Sequence, residues 1–80
     1  MTVTEGATII NDAAYKWYMD DKTNLSVFTV SSRAAYKLSK DPIFNLAAHM
    51  CYNFRDCMDG VTDEEWIDLA KQAQKILRGK

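Results

Sequence analysis

The residues able to do chemistry crowd into one stretch, AHMCYNFRDCMDG, which runs from Ala48 to Gly60 and holds the only histidine, both cysteines and two aspartates. A metal centre, a thiol or histidine catalyst and a binding face all draw on these residue types, and spacing separates them. On a helix, His49 and Cys51 point about 200° apart, and Cys51 and Cys57 are about 240° apart and roughly 9 Å apart along the axis. Ligands of one metal must converge, and residues share a helical face only at separations of three, four or seven. No other His or Cys exists to complete a zinc set, and a disulfide within one helix is out of reach. The expectation is two free thiols packed as small apolar groups, with no metal and no cofactor.

Catalysis meets the same obstacle. His49 and Asp56 align, but two turns apart, roughly 10 Å at the backbone. The three glycines are scattered and form no phosphate loop. The paired acids Asp20–Asp21 and Glu64–Glu65 fall in a loop and at a helix start, where solvation and capping account for them. No catalytic residue and no enzyme is expected.

Binding is what remains, and three surfaces are candidates. The first is the polar side of the same helix, with Asn45, His49, Tyr52, Asn53 and Asp56; an ordinary solvated face would look alike. Tyrosine and histidine offer flat area and hydrogen bonds at low ordering cost, so Asn45, His49, Tyr52 and Asp56 are the primary partner-binding set. The second is Tyr15 with Met19, four apart on the back of the first helix, covered by a neighbour or open to a partner. The third is basic: Arg33, Lys37 and Lys40.

The elements that must carry these residues follow from periodicity and caps. VTDEEWIDLAKQAQKILRGK has Thr62 and Glu65 at capping-box spacing and Val61 and Trp66 at staple positions. Acids fill its first turn and bases its last, and Trp66, Ala70, Ala73 and Leu77 form one stripe; the helix is predicted over 63–78. Asp41 and Pro42 open another helix and Gly60 stops it, giving 42–59. Its apolar lines, Ile43–Ala47–Met50–Phe54–Cys57 and Phe44–Cys51–Met58, cover over half the circumference, so it should be central. Thr2 and Glu5 suggest a capping box for a helix over 3–20, with Val3, Ala7, Ile10, Ala14 and Trp17 on one face. Gly6 and the β-formers Val3, Ile9 and Ile10 argue the other way. Residues 25–39 mix the strand-forming VFTV with the helix-forming RAAYKL and read as a helix with Phe28, Ser31, Ala35 and Leu38 on one face. The fold expected is all-α, a compact bundle of four short helices in one domain spanning 1–80. The alternative is α+β, with a strand or hairpin in 2–10 and 25–30.

The segment SSRAAYKLSKDPIFNLAAHM resembles a helix-turn-helix, with Arg33, Lys37 and Lys40 on the first helix. Ser39 stands where that motif often has glycine, and the second helix offers no Lys or Arg before Arg55. Phosphate contacts dominate DNA affinity, and the net charge is −1, so nucleic acid is the second expectation and not the first. The N-terminus lacks the basic and apolar regions of a signal peptide, and no apolar run is long enough to span a membrane, so a cytoplasmic chain with no membrane partner is expected. The functional expectation is a small non-catalytic protein that binds a larger macromolecule as an inhibitor, adaptor or accessory subunit, the kind of small protein that phages and mobile elements often carry. The alternative is a helix-turn-helix DNA-binding transcriptional regulator.

Overall fold

Two of the expected caps are formed as the spacing demanded. The Glu5 amide donates to Thr2 Oγ1 at 3.1 Å, and the Thr2 amide donates to Glu5 Oε1 at 3.0 Å. The Glu65 amide donates to Thr62 Oγ1 at 3.2 Å, and the Thr62 amide to Glu65 Oε1 at 3.3 Å. These boxes open α1 (Val3–Met19) and α4 (Asp63–Arg78). Between them lie α2 (Val27–Tyr36), capped by Ser26 accepting from the Thr29 amide, and α3 (Pro42–Phe54), where Asp41 Oδ1 accepts from the Ile43 amide at 2.9 Å. The structure is a computed structural model that describes residues 1–19, 25–54 and 60–78. Among these residues it is a compact all-α bundle of four helices with no strand. No described helix is long and apolar enough to cross a membrane.

The α+β alternative is overturned at both places. Residues 3–10 are helical because the capping box supplies the first turn and because Val3, Ala7 and Ile10 are all buried on one face. VFTV is helical behind its Ser26 cap. The second helix is shorter than 25–39, ending at Tyr36. The reason lies outside it: the Asn45 side chain reaches back from α3, and its amide nitrogen donates to Tyr36 O at 3.2 Å and to Ser39 O at 2.9 Å. Those carbonyls are satisfied by α3, so α2 stops at Tyr36, ahead of the first helix-breaking signal at Asp41–Pro42.

The third helix is central, as its wide apolar arc implied: α1, α2 and α4 all pack on it, while α2 and α4 do not touch each other among the described residues. One core cluster joins Val3 and Ala7 to Ala47, Cys51, Trp66 and Ala70. A second joins Ile10 to Ala35 and Ala48. Much of this core is alanine, so the helices sit close. At Gly6 α1 comes close to α3, and an added Cβ would stand 2.9 Å from Ala48 Cβ and 3.2 Å from Leu38 Cδ1. The glycine that weakens the helix locally is what lets α1 cross α3. A further tie links distant parts of the chain: Asp63 Oδ2 accepts from the Val3 amide at 3.1 Å, so one carboxylate serves the N-terminal ends of two helices, where the dipoles favour a negative charge. The last helix departs from expectation at its end. Trp66 and Ala70 are buried, but Leu77 is 76% exposed, because the final turn of α4 runs on past the surface it packs against.

Candidate functional site

Three of the four residues expected to form the partner face lie in the described structure, and they do not form one solvated face. Asn45 is buried. Besides its two donated bonds, its Oδ1 accepts from the Ser39 hydroxyl at 3.0 Å, so every hydrogen-bonding group of the amide that geometry can satisfy is spent on the α2–α3 turn. It is a structural latch that also lines the space between α2 and α3. Tyr52 is half-buried and packs against both core clusters. His49 is half-buried on the edge of α2. Asp56 and Cys57 lie outside the described residues, while Cys51 is a buried thiol within the first core cluster. The polar side of α3 is turned toward α2 because three helices compete for the surface of α3, and α2 takes this flank.

Around His49 the geometry is specific. Ser31 Oγ lies 3.3 Å from Nε2, and the same hydroxyl donates to Phe28 O at 3.1 Å. When the hydroxyl proton goes to the carbonyl, Ser31 accepts from a ring protonated on Nε2; the other tautomer would take the hydroxyl proton at Nε2 instead. The Phe28 ring lies 6.1 Å from the imidazole and the Tyr52 ring 6.4 Å, the latter nearly parallel at 20°. Burial among these groups pushes the imidazole below its ordinary 6.5 and favours the neutral ring.

Beside His49 opens a groove of about 580 Å³ between α2 and α3, lined among others by Tyr36, Lys40, Pro42, Leu46 and His49. Tyr36 is 82% exposed and Phe28 69% exposed. Neither was singled out from the sequence as a binding residue. Phe28 was expected on the core face, and it does share that direction with Ala35. It sits in the first turn of α2, however, where it leans on the His49 ring and otherwise meets solvent. The spacing of Phe28, Ser32 and Tyr36 at steps of four is the signal that would have found this stripe.

The other two candidate surfaces are open. Tyr15 and Met19 are each 65% exposed, with Tyr18 beside them, at the end of α1 where the Trp17 indole N–H donates to Leu25 O. Arg33, Lys37 and Lys40 are exposed, but they do not form one helical row, since Lys37 is the cap of α2 and Lys40 lies in the turn. The chain matches no protein-family model, no curated protein and no solved structure.

Among the described residues no group of three or more His, Cys, Asp and Glu side chains converges on a point where a metal could sit. The arrangement around the groove is therefore described by what it offers: exposed aromatic area, a neutral imidazole edge and a basic rim, fixed on two helices that the Asn45 latch holds together.

Proposed function

We propose that this chain is a small non-catalytic cytosolic protein that acts by binding a larger protein, as an inhibitor, adaptor or accessory subunit, through the groove between α2 and α3. The observation that supports this reading is the pair of large exposed aromatics, Phe28 and Tyr36, on one stripe of α2 beside that groove. Apolar surface held open to water on a rigid base is a recognised property of interaction sites, and tyrosine is enriched among residues that carry binding energy. The base is rigid for a stated reason, since α3 is packed on by all three other helices and Asn45 fastens α2 to it. Ordering costs on binding are reduced accordingly. His49 sits where both Phe28 and the groove meet it, and with Asn45, which also lines the groove, it is what this reading retains of the expected set.

The DNA-binding alternative keeps the exposed Arg33, Lys37 and Lys40, yet α3 carries no Lys or Arg from Pro42 to Phe54. One experiment separates the readings. The tagged chain is purified from its native cell beside Tyr36→Ala and Phe28→Ala variants and a Tyr15→Ala/Met19→Ala variant, all checked for unchanged melting. A specific protein that co-purifies with the parent chain, and whose recovery drops with Tyr36→Ala or Phe28→Ala only, is the expected result. Loss confined to the Tyr15/Met19 variant moves the interface to α1. Retardation of duplex DNA, weakening steeply with salt, replaces this reading with the regulator.

A further inference from the structure

The groove beside His49 has a counterpart on the other flank of α3. Ile43 and the α4 side chains Lys71, Gln74, Lys75 and Arg78 line a second open groove of about 380 Å³. Ile43 and Leu46, which line the two grooves, are three residues apart on α3. Both grooves therefore run alongside the first turns of the same helix, one walled by α2 and the other by α4. The charges here are of one sign. Arg33, Lys37 and Lys40 stand on the α2 side and Lys71, Lys75 and Arg78 on the α4 side, all exposed, while α3 itself carries no Asp, Glu, Lys or Arg. Between Leu25 and Phe54 there is one acid, Asp41, and its carboxylate is occupied in capping the Ile43 amide. Three of the acids of α4, Asp63, Glu64 and Glu65, occupy its opposite end, and a helix of 16 residues is about 24 Å long; the fourth, Asp68, lies one turn before Lys71. The charge on α4 is thus sorted, with its basic end beside the start of α3.

We propose that this end of the molecule receives an acidic amphipathic segment of the partner protein, a deepening that rests on the protein-binding function above. An aromatic or branched apolar side chain of the segment seats in the α2–α3 groove against Tyr36, Leu46 and His49. Carboxylates of the segment lie toward Lys40 on one flank and toward Lys71, Lys75 and Arg78 on the other. Charge complementarity selects the occupant. A basic segment would meet the four cations that line the grooves, Lys40, Lys71, Lys75 and Arg78, and like-charge juxtaposition of that kind suppresses a wrong partner. Duplex DNA would satisfy the cations, but it leaves the exposed faces of Tyr36 and Phe28 without an apolar partner. A second copy of this chain offers an acidic end, but its acids at Asp63 and Glu65 are engaged in caps.

The test is a selection of binders to the immobilised full chain from a random peptide display library at physiological ionic strength. Enriched peptides should carry several Asp or Glu residues around one aromatic or leucine anchor. The most enriched peptide is then synthesised and titrated against the parent chain, Lys40→Glu/Lys75→Glu, Lys16→Glu and Tyr15→Ala/Tyr18→Ala, each confirmed folded by its melting curve. The double charge reversal should weaken binding at least tenfold, while Lys16→Glu, on exposed α1 surface, leaves it within about twofold. Peptides without acidic enrichment, indifference to the double reversal, or a selection that enriches nothing each overturn the proposal. If binding is lost only in Tyr15→Ala/Tyr18→Ala, the docking surface proposed here is wrong and the protein-binding function stands. If nothing is enriched and random-sequence duplex DNA binds with a steep salt dependence, both are wrong.

Discussion

At the scale of single residues, Asn45 and His49 on one flank of α3 are held in different ways. Asn45 donates twice and accepts once within the α2–α3 turn. Asn45→Ala should lower stability by about 1–3 kcal/mol, because the Tyr36 and Ser39 carbonyls lose a donor at a part-buried turn. Urea denaturation checks this. His49 behaves differently with pH. Burial holds its folded-state pKa below 6.5, so the unfolded chain takes up the proton first as pH falls. The stability associated with the neutral ring is whole above 6.5, is lost as pH falls through the lowered folded value, and changes no further below it. Glu5 acts in a separate window: the Thr2 amide holds its carboxyl below the ordinary 4.5, so its contribution is present above that value and lost as pH falls through the lowered one. Urea midpoints measured from about pH 8 to about pH 5 should decline for the parent chain and stay level for His49→Gln in that range; parallel curves would sink the assignment.

At the scale of the element, the crossing of α1 over α3 depends on the absence of one methyl group. An alanine at position 6 gains about 0.5–1 kcal/mol of helix propensity over glycine. It also brings a Cβ to 2.9 Å from Ala48 Cβ, which hangs directly on the α3 backbone and cannot swing aside. Overpacking of this kind costs about 1–3 kcal/mol, so Gly6→Ala should be destabilising on balance. Ala48→Gly in the same chain should recover much of the loss, and a double-mutant cycle in denaturant measures the coupling. Additive effects would mean the two helices part there without cost. Alpha helix 4 presents the opposite situation in its last turn, where Leu77 is exposed and Leu77→Ala should shift stability by no more than about 0.5 kcal/mol.

At the scale of the whole molecule, the core is thin and depends heavily on one indole. Trp66 is 2% exposed and joins α4 to Val3 and Ala7 of α1 and to Ala47 and Cys51 of α3. Its fully buried neighbours in that cluster are mostly small, and the larger side chains around it, among them Phe44, Leu46 and Met50, are only partly buried. Trp66→Ala should cost about 3–5 kcal/mol, a large part of the 5–15 kcal/mol typical of a folded protein, and should leave the chain partly unfolded at room temperature. Loss of cooperative thermal melting is the expected readout. A variant that melts normally would contradict the core placement of this residue.

The sequence by itself determined α3, α4 and the caps of α1, α3 and α4, because capping boxes and apolar periodicity are local: Thr2 with Glu5, Thr62 with Glu65 and Asp41 with Ile43 act within a single turn, whereas 2–10 and 25–30 kept a strand alternative that only the packed structure removed. It also determined that α3 is central, since an apolar arc over half a circumference has to be covered from more than one side. What it left open was which neighbour covers which flank. That choice turned Asn45 inward, ended α2 at Tyr36, and left Phe28 and Tyr36 in water. Helical periodicity gives the direction of a side chain about its own axis, whereas burial depends on where the other helices end. Only packing across the chain, through the Asn45 bonds to Tyr36 O and Ser39 O and the close approach at Gly6, decided those positions.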